Sequence, residues 1–349
     1  MDNKRKNIRN QEYSELMDFF NDLNEKKFRL TQLSEWLWKK GSESFQEMKN
    51  LPQSLKEKLE QQYYIDKIKP VFQTSGKDKT TKFLFQSVDD HKFEGVLIPD
   101  KDRVTACIST QIGCQLNCSF CATGKIGYKR NLTTGEIFDE VFLLNKLSND
   151  IFAKNLSNIV IMGMGEPLLN YGNTINAINI IMSENGMGMS PQRITLSTAG
   201  VVPGIKKLAD DNIKFNLSIS LHSADNEKRS TIMPVNKKYD LEALKKAIKY
   251  FYEKTGTRVT YEYLMLGGIN DSIEDAVKLT EFTKISPCKI NLIQYNSTEK
   301  SEYKNTSKEK LQDFFNFLEN KNLIVTLRKS KGQDINAACG QLANKNNIL

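Results

Sequence analysis

Cys114-Gln-Leu-Asn-Cys118-Ser-Phe-Cys121 gathers three thiols into one short stretch of the chain. Three thiolates can hold three corners of a four-iron cluster. A cubane ligated entirely by protein takes four cysteines, so a set of three leaves one iron open to a small molecule. A structural zinc site is the competing reading, but it wants a fourth Cys or His to close its tetrahedron. No such ligand is obvious, because the chain has only two histidines, His91 and His222. Six cysteines in 349 residues, three of them clustered, do not read as a disulfide framework and point to a reducing compartment.

Working outward from the cysteines, residues 104–109 immediately before them read as a strand. Further apolar runs at 159–162, 194–196, 215–221, 259–265 and 290–295 alternate with stretches of helical periodicity such as 241–251. That alternation predicts β-α units and a parallel sheet. It gives six strands, with a seventh possible at 324–327, and the fold class expected is α/β, a partial (β/α)6 barrel. In barrels the chemistry sits on loops at the C-terminal ends of strands, which is where the cysteine loop falls. Upstream, 82–87 and 92–98 read as an antiparallel pair turning at Asp89 and Asp90. Residues 74–81 read as a polar linker or hairpin turn. Before them, 11–24, 30–40 and 53–63 carry apolar residues at helical spacing, as in Tyr13, Leu16, Met17, Phe20 and Leu23. The expected division is a helical domain over 1–75, a linker and β-hairpin over 76–102, and the barrel with a C-terminal segment over 103–349.

Composition narrows the class. A hydrophobic content of 39% with 26% charged residues describes an ordinary soluble protein, and no apolar run approaches a membrane span. The N-terminus is polar and basic with no apolar core behind it, so a cytoplasmic location is expected. A net charge of +8 is compatible with nucleic acid without requiring it.

The cysteine spacing, with an aromatic residue before the third thiol, resembles the radical S-adenosylmethionine (SAM) superfamily. The loop Met162-Gly-Met-Gly-Glu-Pro-Leu-Leu-Asn170 follows one β-α unit later. Alone it is a glycine turn, but here it resembles the Gly-Gly-Glu-Pro motif that meets the methionine amino group of SAM. Two more cysteines, Cys107 in Val-Thr-Ala-Cys-Ile-Ser-Thr and Cys339 in Ala-Ala-Cys-Gly-Gln-Leu342, would alone read as inert thiols. Together with Phe-Glu-Gly-Val-Leu-Ile-Pro99, Cys-Ala-Thr-Gly-Lys-Ile-Gly127 and Arg-Asn-Leu-Thr-Thr134 they make the chain resemble the RlmN/Cfr family of radical SAM RNA adenine methyltransferases. The resemblance runs to Leu342, and Pro167 and Leu169 place it nearer the C2-methylating branch than the C8 branch.

The resemblance implies a radical SAM barrel, with a 4Fe-4S cluster on Cys114, Cys118 and Cys121 whose open iron takes SAM. It implies SAM contacts at Gly165, Glu166, Ser197, Ser220, Leu221, His222 and Asn296, residues that alone read as caps and turns. Cys339 is implied as methyl carrier, Cys107 as the resolving thiol that forms a transient disulfide with it, and Glu94 as base. On its own, a glutamate in a strand reads as solvent-facing. The implied substrates are 23S rRNA and tRNA, the implied partner an electron donor such as flavodoxin or ferredoxin, and the expected assembly a monomer. Lys125, Lys129, Arg130, Arg328, Lys329, Lys331 and the N-terminal Lys26, Lys27, Arg29, Lys39 and Lys40 are candidate RNA contacts or simply solvated faces. Trp36 and Trp38 read as packing, and Cys288 as the start of a core strand.

Overall fold

In the computed structural model, which describes residues 5–297 and 302–343, the expected strands join one ten-stranded sheet. Numbered along the chain, they are β1 (Lys69–Ser75), β2 (Thr81–Gln86), β3 (Lys92–Asp100), β4 (Arg103–Cys107), β5 (Asn158–Ile161), β6 (Ile194–Thr198), β7 (Asn216–Ser220), β8 (Val259–Met265), β9 (Cys288–Gln294) and β10 (Val325–Arg328). Spatial order is chain order, and the sheet stays open between β10 and β1. From β1 to β4 the pairing is an antiparallel meander. From β4 to β10 it is parallel, with helix between each pair of strands. The barrel is therefore partial, as expected, and the possible seventh strand at 324–327 is a full member.

One strand escaped the sequence reading. β1 lies in the span read as the end of the helical domain and the start of a linker. It is an edge strand, exposed at nearly every position and bulged between Pro70 and Phe72. A strand with one neighbour and little burial leaves no alternating pattern to read.

The parallel strands depart from the continuous apolar runs of a sheet buried on both faces. In β8, Val-Thr-Tyr-Glu-Tyr-Leu-Met, Tyr261 and Tyr263 turn outward onto Phe282 and Phe314 of the helical layer, with ring centroids 5.6 and 5.3 Å apart. Alternation by two then turns Thr260 and Glu262 inward. Ser218 and Ser220 of β7 and Asn291 of β9 share this inner face, paired with or bonded to Glu262. The outer face thus makes the apolar core, while the inner face is a polar wall available to a ligand.

Helices Tyr13–Asp22, Lys27–Ser34 and Gln53–Gln62 close around a separate apolar cluster that includes Phe20, Leu30, Leu33, Leu55 and Leu59. Fully burying each such side chain is worth roughly 1.5–3 kcal/mol. Arg9 ties this cluster to the barrel. It ion-pairs with Asp139 on helix Thr134–Phe152, donates to the Leu37 carbonyl at 2.8 Å and lies over the Trp38 ring. Both charges are buried, so removing one partner strands the other at a cost of about 3–5 kcal/mol. Trp38 packs edge-on against Phe138, as a packing residue should. Among the described residues no helix is long and apolar enough to cross a membrane.

Candidate active site

A cavity of about 650 Å³ opens at the C-terminal ends of the parallel strands. Cys114, Cys118 and Cys121 line one wall, on the loop that follows β4. Local geometry explains the loop. Gln111 and Ile112 pair with Arg130 and Asn131, and Gly113, at φ +75°, lets the Gly127 carbonyl pass where a Cβ would sit 1.6 Å away. Burial is the main influence on two of the thiols, pushing Cys114 up to about 12 and Cys118 well up, and the neighbouring cysteines add to the push. Such thiols ionise only when a cation meets them. Among the described residues no three Cys, His, Asp or Glu side chains close on a single-ion position. Three thiols carried by one loop on one wall of the cavity are the donor set of a cluster with one open corner.

The glycine loop after β5 forms the adjoining wall through Gly163, Gly165 and Glu166. Gly165, at φ +96°, has no room for a side chain: a Cβ would meet the Cβ of Gln111 at 2.4 Å. Gln111 in turn accepts from the Glu166 N–H at 2.8 Å, locking the glycine loop to the cysteine loop. Glu166 is buried, and burial lifts its carboxyl to about 7 although it accepts N–H bonds from Ala199 at 2.8 Å and Leu168 at 3.1 Å.

Ser197 and Ser220 face each other across the cavity floor with their hydroxyls 3.4 Å apart. His222 also lines the cavity, and its backbone takes the left-handed φ of +57°. Burial, helped by Arg229, holds its imidazole down to about 3. It is therefore neutral, with Nδ1 accepting from the Leu264 N–H at 3.1 Å.

Cys107, at the end of β4, and Cys339 line the same cavity as the three clustered cysteines. Cys339 is exposed and sits on a strap, residues 332–343, part of which lines the cavity. Four parts of the fold hold the strap. Asp78 accepts from the Gly332 N–H, Asn296 donates to the Cys339 carbonyl, Ala122 donates to the Gly340 carbonyl, and Glu94 accepts from the Ala343 N–H at 2.9 Å.

Three expected site residues do not line the cavity. Leu221 turns its side chain into the apolar core, leaving its backbone at the site edge, where the carbonyl accepts from Arg229. Asn296 spends its amide on Cys339 and on Gln333, and so supports the strap. Glu94 is completely buried, not solvent-facing, and pairs with Lys82 at 3.0 Å as well as with the strap.

The sequence reading missed other contributors. Buried Arg229 gathers the Leu221, Ala199 and Ser220 carbonyls at the ends of β6 and β7. Glu140 accepts the Ser109 N–H with both oxygens, and Ser109 in turn bonds the Glu94 carbonyl and the Met164 N–H. No motif marks either residue, since each works by reaching backbone from a distant helix. Among the candidate RNA contacts, Arg328, Lys329 and Lys331 line the cavity. Arg130, by contrast, is engaged by Asp89 and Glu136.

Known proteins resemble this chain in sequence and in fold. Residues 108–280 match the family model of the radical SAM superfamily. Residues 6–65 match the ribosomal RNA large subunit methyltransferase N-terminal domain. A probable dual-specificity RNA methyltransferase RlmN from Cytophaga hutchinsonii is 46% identical over 342 residues, covering 98% of this chain and 94% of the relative. The dual-specificity RNA methyltransferase RlmN of Nautilia profundicola is 42% identical, covering 91% and 93%. The crystal structure of a radical SAM methyltransferase from Sphaerobacter thermophilus superposes with a TM-score of 0.89 at 35% identity, covering 97% of this chain and 99% of that one.

Proposed function

The chain belongs to the RlmN family of radical SAM RNA methyltransferases, and from that premise we propose that it methylates C2 of adenine in RNA. The proposed targets are the peptidyl-transferase-centre adenosine of 23S rRNA and the adenosine beside the anticodon in tRNA. The observation that carries this reading is the meeting of Cys107 and Cys339 in the cavity lined by the three clustered cysteines. A second pair of thiols has no use in cluster binding alone, whereas a methyl carrier and a resolving thiol need to share the cluster's cavity.

The family's cofactors are a 4Fe-4S cluster and SAM. Cys114, Cys118 and Cys121 would hold the cluster, and Gly165, Glu166, Ser197, Ser220, His222 and the backbone of Leu221 would surround SAM. When bound, these would supply one-electron chemistry that removes a hydrogen from a methyl group carried on Cys339. The protein's own residues do the rest. C2 of adenine is electron-poor and resists a methyl cation, so the one-carbon unit travels on the Cys339 sulfur, a strong nucleophile. Addition to C2 joins Cys339 to the RNA. Glu94, beside the strap, takes the C2 proton while the adduct's unpaired electron would return to the cluster. The Cys107 thiolate then attacks the Cys339 sulfur, the disulfide forms as the sulfur–carbon bond breaks, and the carbon keeps that electron pair and takes a proton to become the methyl. Reduction of that disulfide readies the next turnover. A low-potential donor such as flavodoxin or ferredoxin completes the proposed cycle, with the monomer as the catalytic unit.

The test is anaerobic incubation of cluster-loaded protein with bacterial RNA, reductant and SAM bearing a trideuterated methyl, followed by mass spectrometry of the adenosines. 2-Methyladenosine with two deuteriums is expected. An 8-methyl product would move the chain to the other branch, three deuteriums would mean direct transfer, and an unmodified RNA pool would overturn the activity.

Gly165→Ala should weaken SAM binding about tenfold or more while leaving the cluster's visible absorption in place. Backbone strain of about 1–3 kcal/mol at a left-handed position, added to the clash with Gln111, pushes the two loops apart. Equilibrium dialysis of SAM measures it, and an unchanged Kd would remove this loop from the cofactor site.

A further inference from the structure

On the polar wall of the cavity lies an ion pair with no part in the methyl-transfer route above. Glu262, in the middle of β8, is almost fully buried. Its Oε1 accepts from Ser218 Oγ and from Asn291 Nδ2, both at 2.9 Å, so side chains of the two flanking strands hold the carboxylate still. Its Oε2 is buried without a hydrogen-bond donor and looks toward Arg328 Nη1, 3.7 Å away. Arg328 ends the edge strand β10, and the same Nη1 approaches the Met162 sulfur beyond β5 at 3.7 Å. The side chain therefore reaches over the open side of the barrel, where Cys107 and Cys339 line the same cavity. A guanidinium carries five N–H donors, and these two contacts use one nitrogen. Electrostatics couple the three groups. Cys339 is the largest influence on Arg328 and strengthens its hold on its proton, while Arg328 opposes the upward push that burial gives Cys107.

We propose that Arg328, held in place by Glu262, is the cation that stabilises the thiolates of Cys339 and Cys107 at the two moments when those sulfurs attack. In the first, Cys339 gives its proton to solvent and its sulfur forms a bond to the methyl carbon of SAM. The methyl–sulfonium bond breaks, and S-adenosylhomocysteine leaves with that electron pair. In the second, Cys107 gives its proton to solvent and its sulfur bonds to the Cys339 sulfur, while the Cys339 sulfur–carbon bond breaks and the carbon keeps the pair and takes a proton. A positive neighbour favours the anionic form of a thiol. The other groups facing the pair do not offer one as directly. Glu140, behind Cys107, is acidic, as are Asp100 and Glu166 on the cavity wall. Lys82 is taken by Glu94, and Lys329 and Lys331 follow Arg328 in the segment that leads to the strap.

The role rests on these two cysteines being the methyl carrier and the resolving thiol, and it can be read without methylation. Cluster-loaded protein is treated anaerobically with iodoacetamide from pH 6 to 10, and alkylation of Cys339 is followed by peptide mass spectrometry. Arg328→Gln should move the profile up by about one pH unit and slow alkylation at pH 7.5 about tenfold. Arg328→Lys keeps the charge and should stay near the wild-type profile. Glu262→Gln leaves the cation's field uncompensated and should move the profile down. Opposite shifts for the glutamines at 328 and 262 support the role. Profiles that stay put, or that shift the same way in both variants as general damage would make them, overturn it. Because thiol alkylation needs no RNA, these outcomes stand apart from failure of the methyl-transfer reading, which the deuterium experiment reports.

Discussion

A Cys339→Ala variant is expected to assemble its iron-sulfur cluster and keep its fold while losing RNA methylation by a factor on the order of 10³ or more, the scale on which removing a nucleophile ends a covalent route. The fold should not notice the change. Cys339 is exposed, and the strap around it is held by the Cys339, Gly340 and Leu342 carbonyls, the Ala343 N–H and the Gln341 side chain, none of which involves the sulfur. Visible absorption of the reconstituted cluster and radioactive methyl transfer to RNA measure the two halves separately. Methylation within tenfold of wild type would end the methyl-carrier assignment.

Cys107→Ala should have a different phenotype, a covalent protein–RNA adduct that accumulates once per active site. Without the resolving thiol, the carbon joined to Cys339 stays joined, and the band shifted on a denaturing gel should collapse on ribonuclease treatment. Cys107 is buried at the end of β4, so losing one sulfur leaves a small cavity that costs only on the order of 1 kcal/mol, too little to unfold the chain. Multiple turnovers free of adduct would remove Cys107 from the resolving role. The two variants also check each other, because the double variant should form no adduct.

Much of this architecture was legible in the sequence because it rests on short-range patterns. Three thiols within one turn-rich loop are a local feature, and so is the alternation of strand and helix that gave seven parallel strands when the possible seventh is counted. The edge strand β1 was not legible, since its exposed, bulged residues carry no period. Glu94 shows the limit more sharply. A glutamate in Lys-Phe-Glu-Gly-Val reads as a surface residue. Its burial depends on Lys82 from β2 and Ala343 from the far end of the chain arriving on either side of it.

The amino-acid sequence by itself determined the three-cysteine loop and the parallel β-α order, because each follows from spacing over a few residues. Tertiary structure alone decided the meeting of Cys107 with Cys339, the reach of Arg328 from β10 toward Glu262 and Met162, and the bracing of the loops by Arg229 and Glu140. Those contacts join residues far apart in the chain. Such a contact leaves no period or motif behind, and it exists only once the open barrel has brought its first parallel strand and its last to the same cavity.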